Sequence, residues 1–240
     1  MSALVASAGP SAYWYLTRAS GVVALLLLTG AVALGVLGVR RWSTPSWPRF
    51  LLDALHRNVA LLAMAFVGVH VLTSVLDSFA SISPIDAFIP FVGSYRPFWL
   101  GLGALAFDLL LAVIITSLLR ARIGVGSWRA VHWLSYASWP IALLHGFGTG
   151  SDVKASWLLA LTLACLATVL AAVLVRAGAS WRAYPQRSGV AVGGAGIFTL
   201  ALALWLPSGP LGSEWARRAG TPAALLGHAH RQLPARDGRR

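Results

Sequence analysis

The sequence predicts an all-α fold, a six-helix transmembrane bundle, on three observations. Of its 240 residues 58% are hydrophobic and 11% charged, with a mean hydropathy of +0.73, whereas soluble domains carry about 25% charged residues. Six apolar runs, roughly 13–39, 52–75, 97–119, 130–148, 155–176 and 189–206, each reach the length of about 18 residues that a bilayer crossing needs. Charge is also distributed unevenly. Arg40, Arg41, Arg49, Arg57, Arg120, Arg122, Arg129, Arg176, Arg182 and Arg187 fall at one set of helix ends. Arg18, Arg96 and Lys154 lie at the other, among Asp77, Asp86 and Asp152. This is the positive-inside pattern, and it places the N-terminus and the C-terminal tail outside and the three basic loops in the cytoplasm. The net charge of +12 therefore belongs to membrane orientation, and no nucleic-acid partner is expected.

Taken in order, the first run lacks a basic leader and is too long for a cleaved signal peptide, so it is expected to remain as a helix. The second, "LHRNVALLAMAFVGVHVL", holds His56 and His70. The third is interrupted by Asp108, a costly group in hydrocarbon that is expected to face the interior, neutral or hydrogen-bonded. The fourth, "WRAVHWLSYASWPIALLHGFGTGSD", holds His132 and His145. The fifth contains Cys165, the chain's single cysteine, which leaves no intramolecular disulfide or thiolate cage and reads as a buried small residue. The sixth opens on "GVAVGGAGIF", whose glycines suggest close helix packing because no strand–turn–helix setting surrounds them. Trp14, Trp42, Trp99, Trp128, Trp157 and Trp205 lie near the ends of these runs, as an aromatic belt does. Residues 1–206 thus form one membrane domain. Residues 207–240 form a polar, basic tail that is expected to be poorly ordered. His228 and His230 in that tail, without a third ligand, read as a solvated pair.

Four histidines inside apolar runs need an explanation, since each imidazole loses its water there. His56 and His70 are fourteen residues apart, which at about 100° per residue returns to within roughly 40° of the same face. His132 and His145 are thirteen apart and would diverge by about 140° on an ideal helix. Pro140 lies between them, and a kink there is expected to restore their facing. Both helices run from inside to outside. His56 and His132 therefore share an inner depth, and His70 and His145 an outer one, separated by roughly 20 Å. Packing or hydrogen bonding is the plainer role for a lone intramembrane histidine, but four in two matched layers argue for ligation. Zinc takes three or four protein ligands, whereas iron held by a porphyrin needs only two axial ones. Two b-type haems stacked between the second and fourth helices are the expectation.

Four stretches, "LHRNVALLAMAFVGVH", "DLLLAVIITSLLR", "WRAVHWLSYASWPIALLH" and "HGFGTGSD", together resemble the ferric reductase-like transmembrane domain family. It includes the membrane halves of NADPH oxidases and ferric reductases and the haem subunit of a bacterial methionine-sulfoxide repair system. The resemblance covers about residues 13–176. It implies a haem-binding bundle that passes electrons through the membrane, with His56 and His132 on the inner haem and His70 and His145 on the outer. In the oxidases a flavin and NADPH module follows the fifth helix. Here a short basic loop and a sixth helix follow, so flavin or quinone is expected only through a partner, either a flavoprotein reductase or a quinol as donor. The acceptor is expected outside, a flavin-binding protein being one candidate.

Haem propionates need cations. Arg57 and Arg129 at the inner level and Arg18 at the outer are the candidates, interfacial snorkelling being the alternative for each. Phe66 and Trp139 lie between the two layers in depth. The long outer loop, "SFASISPIDAFIPFVGSYRPF", is expected to fold over the outer haem. Two rival readings remain: a quinol-oxidising haem subunit serving an external reductase, and a haem-free transporter or structural protein whose histidines are polar glue.

Overall fold

A computed structural model describes residues 11–39 and 48–230. Arg40, Arg41, Trp42 and the last ten residues lie outside the described residues, as do the side chains of Arg49, His228 and His230. Nine helices occur among the described residues, and no strand: α1 Ala12–Val39, α2 Arg49–Leu76, α3 Pro97–Leu118, α4 Arg120–His132, α5 Ser135–Thr149, α6 Ser156–Ser180, α7 Pro185–Ser208, α8 Trp215–Arg218 and α9 Ala223–His230. Prolines set several starts, because their fixed φ suits the first helical turn and their missing N–H is not needed there. Pro48 precedes α2 in an extended conformation, and Pro97 and Pro185 stand in the first turns of α3 and α7.

Five helices, α1, α2, α3, α6 and α7, are long and apolar enough to cross a membrane, which makes this a multi-pass membrane protein. Their outward faces are apolar as lipid requires: Val190, Ile197 and Leu204 of α7 are 72–76% exposed. The fourth expected span, 130–148, is not a single helix. It is divided between α4 and α5 by a turn at Trp133–Leu134, and α4 is itself broken at Gly124 (φ 80°, ψ 160°), a conformation open to glycine. Pro140 was expected to supply the break. It sits inside α5 instead, and the interruption comes directly after His132.

α1 and α2 pack antiparallel along their length, with Thr17 Oγ1 donating to Thr73 Oγ1 (2.8 Å) and Ser11 Oγ to Asp77 Oδ1 (2.8 Å) at one end. α5 packs along α3, and α6 bridges α1 and α7. α2 and α5 do not pack closely on each other, so a gap separates the two histidine-bearing helices. The core gathers around α5, where Trp139, Leu143 and Phe147 meet Cys165 and Leu166 of α6 and Leu202 and Leu206 of α7.

Two further expectations change, for the glycines of α7 and for the tail. A Cβ added at Gly189, Gly193, Gly194 or Gly196 of α7 would meet no described atom of another element within 4 Å, so no neighbouring helix approaches them closely. The loop after α2 lies along α3: Phe91 fills the notch left by Gly101, and Phe88 packs on Phe107 at 5.6 Å. The first part of the tail forms α8 and α9, with Trp215 of α8 bonded to the end of α5 and residues 220 and 221 bonded to Arg96 at the start of α3.

In lipid the transfer of a leucine side chain gains little, and what burial supplies is contact. Leu143, 2% exposed, should therefore show the lower end of the usual Leu→Ala loss, about 2 kcal/mol. Leu204→Ala on the lipid face should be near neutral. Thermal unfolding of both variants in one detergent checks the difference.

Candidate functional site: two facing histidine pairs

The gap between α2 and the α4–α5 segment is where the four histidines meet. The rings of His56 and His132 have centroids 6.3 Å apart and planes at 72°, and those of His70 and His145 lie 6.1 Å apart at 85°. With metal–nitrogen bonds of about 2.0–2.1 Å, and ring centres about 1.1 Å beyond each nitrogen, two imidazoles on opposite sides of one ion have centres roughly 6.2–6.4 Å apart. The first separation falls in that range and the second lies 0.1 Å below it. A direct imidazole–imidazole hydrogen bond would bring the rings no closer to any third group, and none is formed in either pair.

Three of the four rings are anchored from behind. His56 Nδ1 bonds to the Ala31 carbonyl (3.0 Å), His70 Nδ1 to that of Thr17 (2.8 Å) and His145 Nδ1 to that of Trp99 (2.9 Å). A carbonyl only accepts, so each Nδ1 carries the proton and each Nε2 presents a bare lone pair. This is the tautomer and the second-shell bond of a metal-ligating histidine. His132 differs: its Nδ1 is buried without a hydrogen-bond partner, and the Trp128 ring covers it at 5.0 Å.

The anchors require close helix approach, and glycines provide it. A Cβ on Gly21 would meet His70 Nδ1 at 3.0 Å, one on Gly35 would meet His56 Cε1 at 3.4 Å, and one on Gly103 would meet His145 at 2.5 Å. Gly21 and Gly35 are fourteen residues apart on α1, the spacing of His56 and His70 on α2. That matched spacing was present in the sequence as a signal and went unread. The carbonyls of Thr17, Ala31 and Trp99 left no such trace, since every residue has one.

A half-open cleft with a cavity volume of about 90 Å³ lies beside the first pair, bordered by Gly35, His56, Met64, Leu110, His132 and Tyr136. No group of three or more His, Cys, Asp or Glu gathers among the described residues. The protein thus offers two donors per layer, which suits an ion that brings its remaining ligands with it. Trp139, between the layers, is buried and donates through Nε1 to Thr29 Oγ1 (3.0 Å). Phe66 is half-buried.

The three candidate arginines are placed differently from one another. Arg57 and Arg129 are exposed and form no ion pair among the described residues. Arg18 pairs with Asp152, bonds to Ser151 and lies over the Trp14 ring at 3.9 Å, so its charge already has a partner. Asp108 is half-buried and forms no hydrogen bond among the described residues, so of its two expected states the neutral one remains. Arg96, not singled out from the sequence, is 5% exposed and reaches the carbonyl of Gly148, three residues beyond His145.

Gly103→Ala forces a methyl into the His145 ring and should destabilise the protein by about 1–3 kcal/mol. Gly30→Ala, on α1 between the two seats with only Val59 nearby at 3.8 Å, should instead stabilise by about 0.5–1 kcal/mol through helix propensity. Thermal unfolding in detergent distinguishes a seat from an ordinary helix glycine.

A family model described as ferric reductase like transmembrane component matches residues 20–143, just over half of the chain. The match takes in the Gly21, Gly35 and Gly103 seats with His56, His70 and His132, and ends two residues before His145. Neither the curated proteins nor the solved structures contain a match. The family match, falling on the helices that carry the facing rings, makes this chain a member of the ferric reductase-like transmembrane component family.

Proposed function

We propose that the protein is a di-haem b-type membrane cytochrome, the electron-transfer component of an oxidoreductase, relaying electrons between the two faces of the bilayer. The observation that carries this reading is the pair of facing histidine layers, each at the separation of two axial ligands, with three of four Nδ1 protons tied back to carbonyls. The donor set fits iron porphyrin: two neutral nitrogen ligands per layer, a gap between two helix pairs, and glycines that keep the rings upright. His56 and His132 would hold the inner haem b, and His70 and His145 the outer. Bound there, each haem supplies a one-electron couple.

The chain's own residues have three tasks in this scheme. The anchored histidines are held in one orientation, and two histidines holding each haem would favour electron transfer over substrate binding at iron. Arg57 and Arg129, exposed and unpaired at the basic end, are available to inner propionates. Arg18 would meet an outer propionate only by sharing its bond to Asp152. Trp139 fills the space between the layers and excludes water there.

The basic end faces the cytoplasm in this reading, with both termini outside the cell membrane. The partners are the lipid bilayer, a separate donor (a flavoprotein reductase or a quinol) and an external acceptor, with a flavin-binding protein as one form it takes. No residue is assigned a catalytic role.

Absorbance of the detergent-purified protein, oxidised and dithionite-reduced, tests the proposal together with haem counted per chain. Two low-spin haems are expected, and a colourless protein after haem-supplemented expression would sink the reading in favour of a transporter. His56→Ala and His132→Ala should each lose the same haem, and His70→Ala and His145→Ala the other. Loss of both haems from every variant, or of neither, would break the assignment of layers.

A further inference from the structure

We infer that the segment after α7, together with Arg96 and Trp99, is a clamp that positions His145, so that the tail tunes one haem layer and leaves the other alone. The inference rests on the di-haem reading and concerns residues outside those matched by the family model, which ends at residue 143 apart from the start of α3.

α7 ends at Ser208, and the chain turns back through the fully buried Pro210 into α8. Trp215 of α8 packs its indole at a tilt against Trp99 (5.3 Å, 59°) and edge-on against Trp205 (5.6 Å, 77°), and Trp99 and Trp205 stack at 4.9 Å and 21°. These three rings draw α3, α7 and α8 together. Trp99 also lies against Gly148, where a Cβ would stand 2.3 Å from the indole. The same Trp99 carbonyl holds the His145 Nδ1 proton at 2.9 Å. Trp99 is therefore the point at which the clamp touches the ligand.

Arg96 closes the arrangement one turn earlier. Its backbone N–H donates to the Gly220 carbonyl (3.1 Å), its Nε to Thr221 Oγ1 (2.9 Å) and its Nη1 to the Gly148 carbonyl (2.8 Å). Trp215 Nε1 donates to that same carbonyl at 3.3 Å. Gly148 lies in the last turn of α5, where carbonyls lack helical partners and a cation is favourable. Arg96 itself holds a left-handed backbone (φ 43°), a conformation an ordinary residue keeps only when its surroundings impose it. Those surroundings are residues 220 and 221 of the tail. Without them the start of α3 is free to relax, and the Trp99 carbonyl with it.

No comparable support reaches the other layer: His56 is anchored within the α1–α2 pair, and His132 is not anchored. Loosening the clamp should weaken only the Nδ1–H bond of His145. A ligand imidazole that loses this bond becomes less basic, stabilises ferric iron less and raises the reduction potential.

Trp215→Ala in the full chain tests this without altering charge. In a potentiometric titration of the purified holoprotein, one of two couples should move to higher potential and the other stay in place. The couple that moves should be the one missing from His70→Ala. Trp157→Ala, an exposed tryptophan of α6 (60%), should move neither. Trp215→Phe should lie nearer wild type than Trp215→Ala does. If Trp215→Ala fails to accumulate, Thr221→Val removes one bond of the clamp and should give the same selective shift. Movement of both couples, of neither, or of the couple retained in His70→Ala would overturn the clamp while leaving a di-haem cytochrome. Wild-type protein without haem would remove both.

Discussion

A histidine ring inside hydrocarbon has two nitrogens to satisfy and no water to satisfy them, and most of this structure can be traced to that demand. The backbone carbonyls of α1 and α3 answer half of it by accepting the Nδ1 protons of His56, His70 and His145. A carbonyl already committed to its own helix can accept a second bond only if the donor comes close, and close approach needs glycine at 21, 35 and 103. The other half, the bare Nε2, is left to the gap, where the paired ring stands 6.1–6.3 Å away. The separation of α2 from α5, and their reliance on α1 and α3 for support, follow from this division.

The arrangement makes the two layers unequal. One pair is held on both sides, His70 by α1 and His145 by α3. The other is held on one side, since His132 ends a helix and has nothing behind its Nδ1. Equal spacing in sequence thus coexists with unequal stiffness in space. The stiffer layer is also the one beneath the tryptophan cluster, where α3, α5, α7 and α8 converge.

Apolar length and charge asymmetry made the membrane helices legible, because crossing a bilayer constrains composition directly. The histidine pairing was legible too, since fourteen and thirteen residues give similar depths whatever the rotation. What spacing could not convey was how thirteen residues come to face the right way. Pro140 drew attention as the visible helix breaker, yet the interruption lies at Trp133–Leu134, residues with no breaking tendency of their own. Tertiary support from α3 decides the matter there. The tail misled for a related reason: its polar, glycine-rich composition suggested disorder, while Trp215 and Thr221 found partners supplied by distant parts of the chain. Arg96 read as a surface charge until the carbonyl of Gly148 gave it a buried role.

The break after His132 also bears on how the chain enters the bilayer during synthesis. α5 has fifteen residues, about 22 Å of helix against a hydrocarbon core of about 30 Å. α1, α2, α3, α6 and α7 are each long enough to partition into lipid singly. α5 is not, and it carries an imidazole that lipid alone leaves unpartnered. Its stable place in the membrane thus depends on α3 being there first, to accept the His145 proton and offer the Gly103 seat. The helix that completes the His70–His145 layer is a late arrival, assembled onto its neighbours instead of inserted beside them.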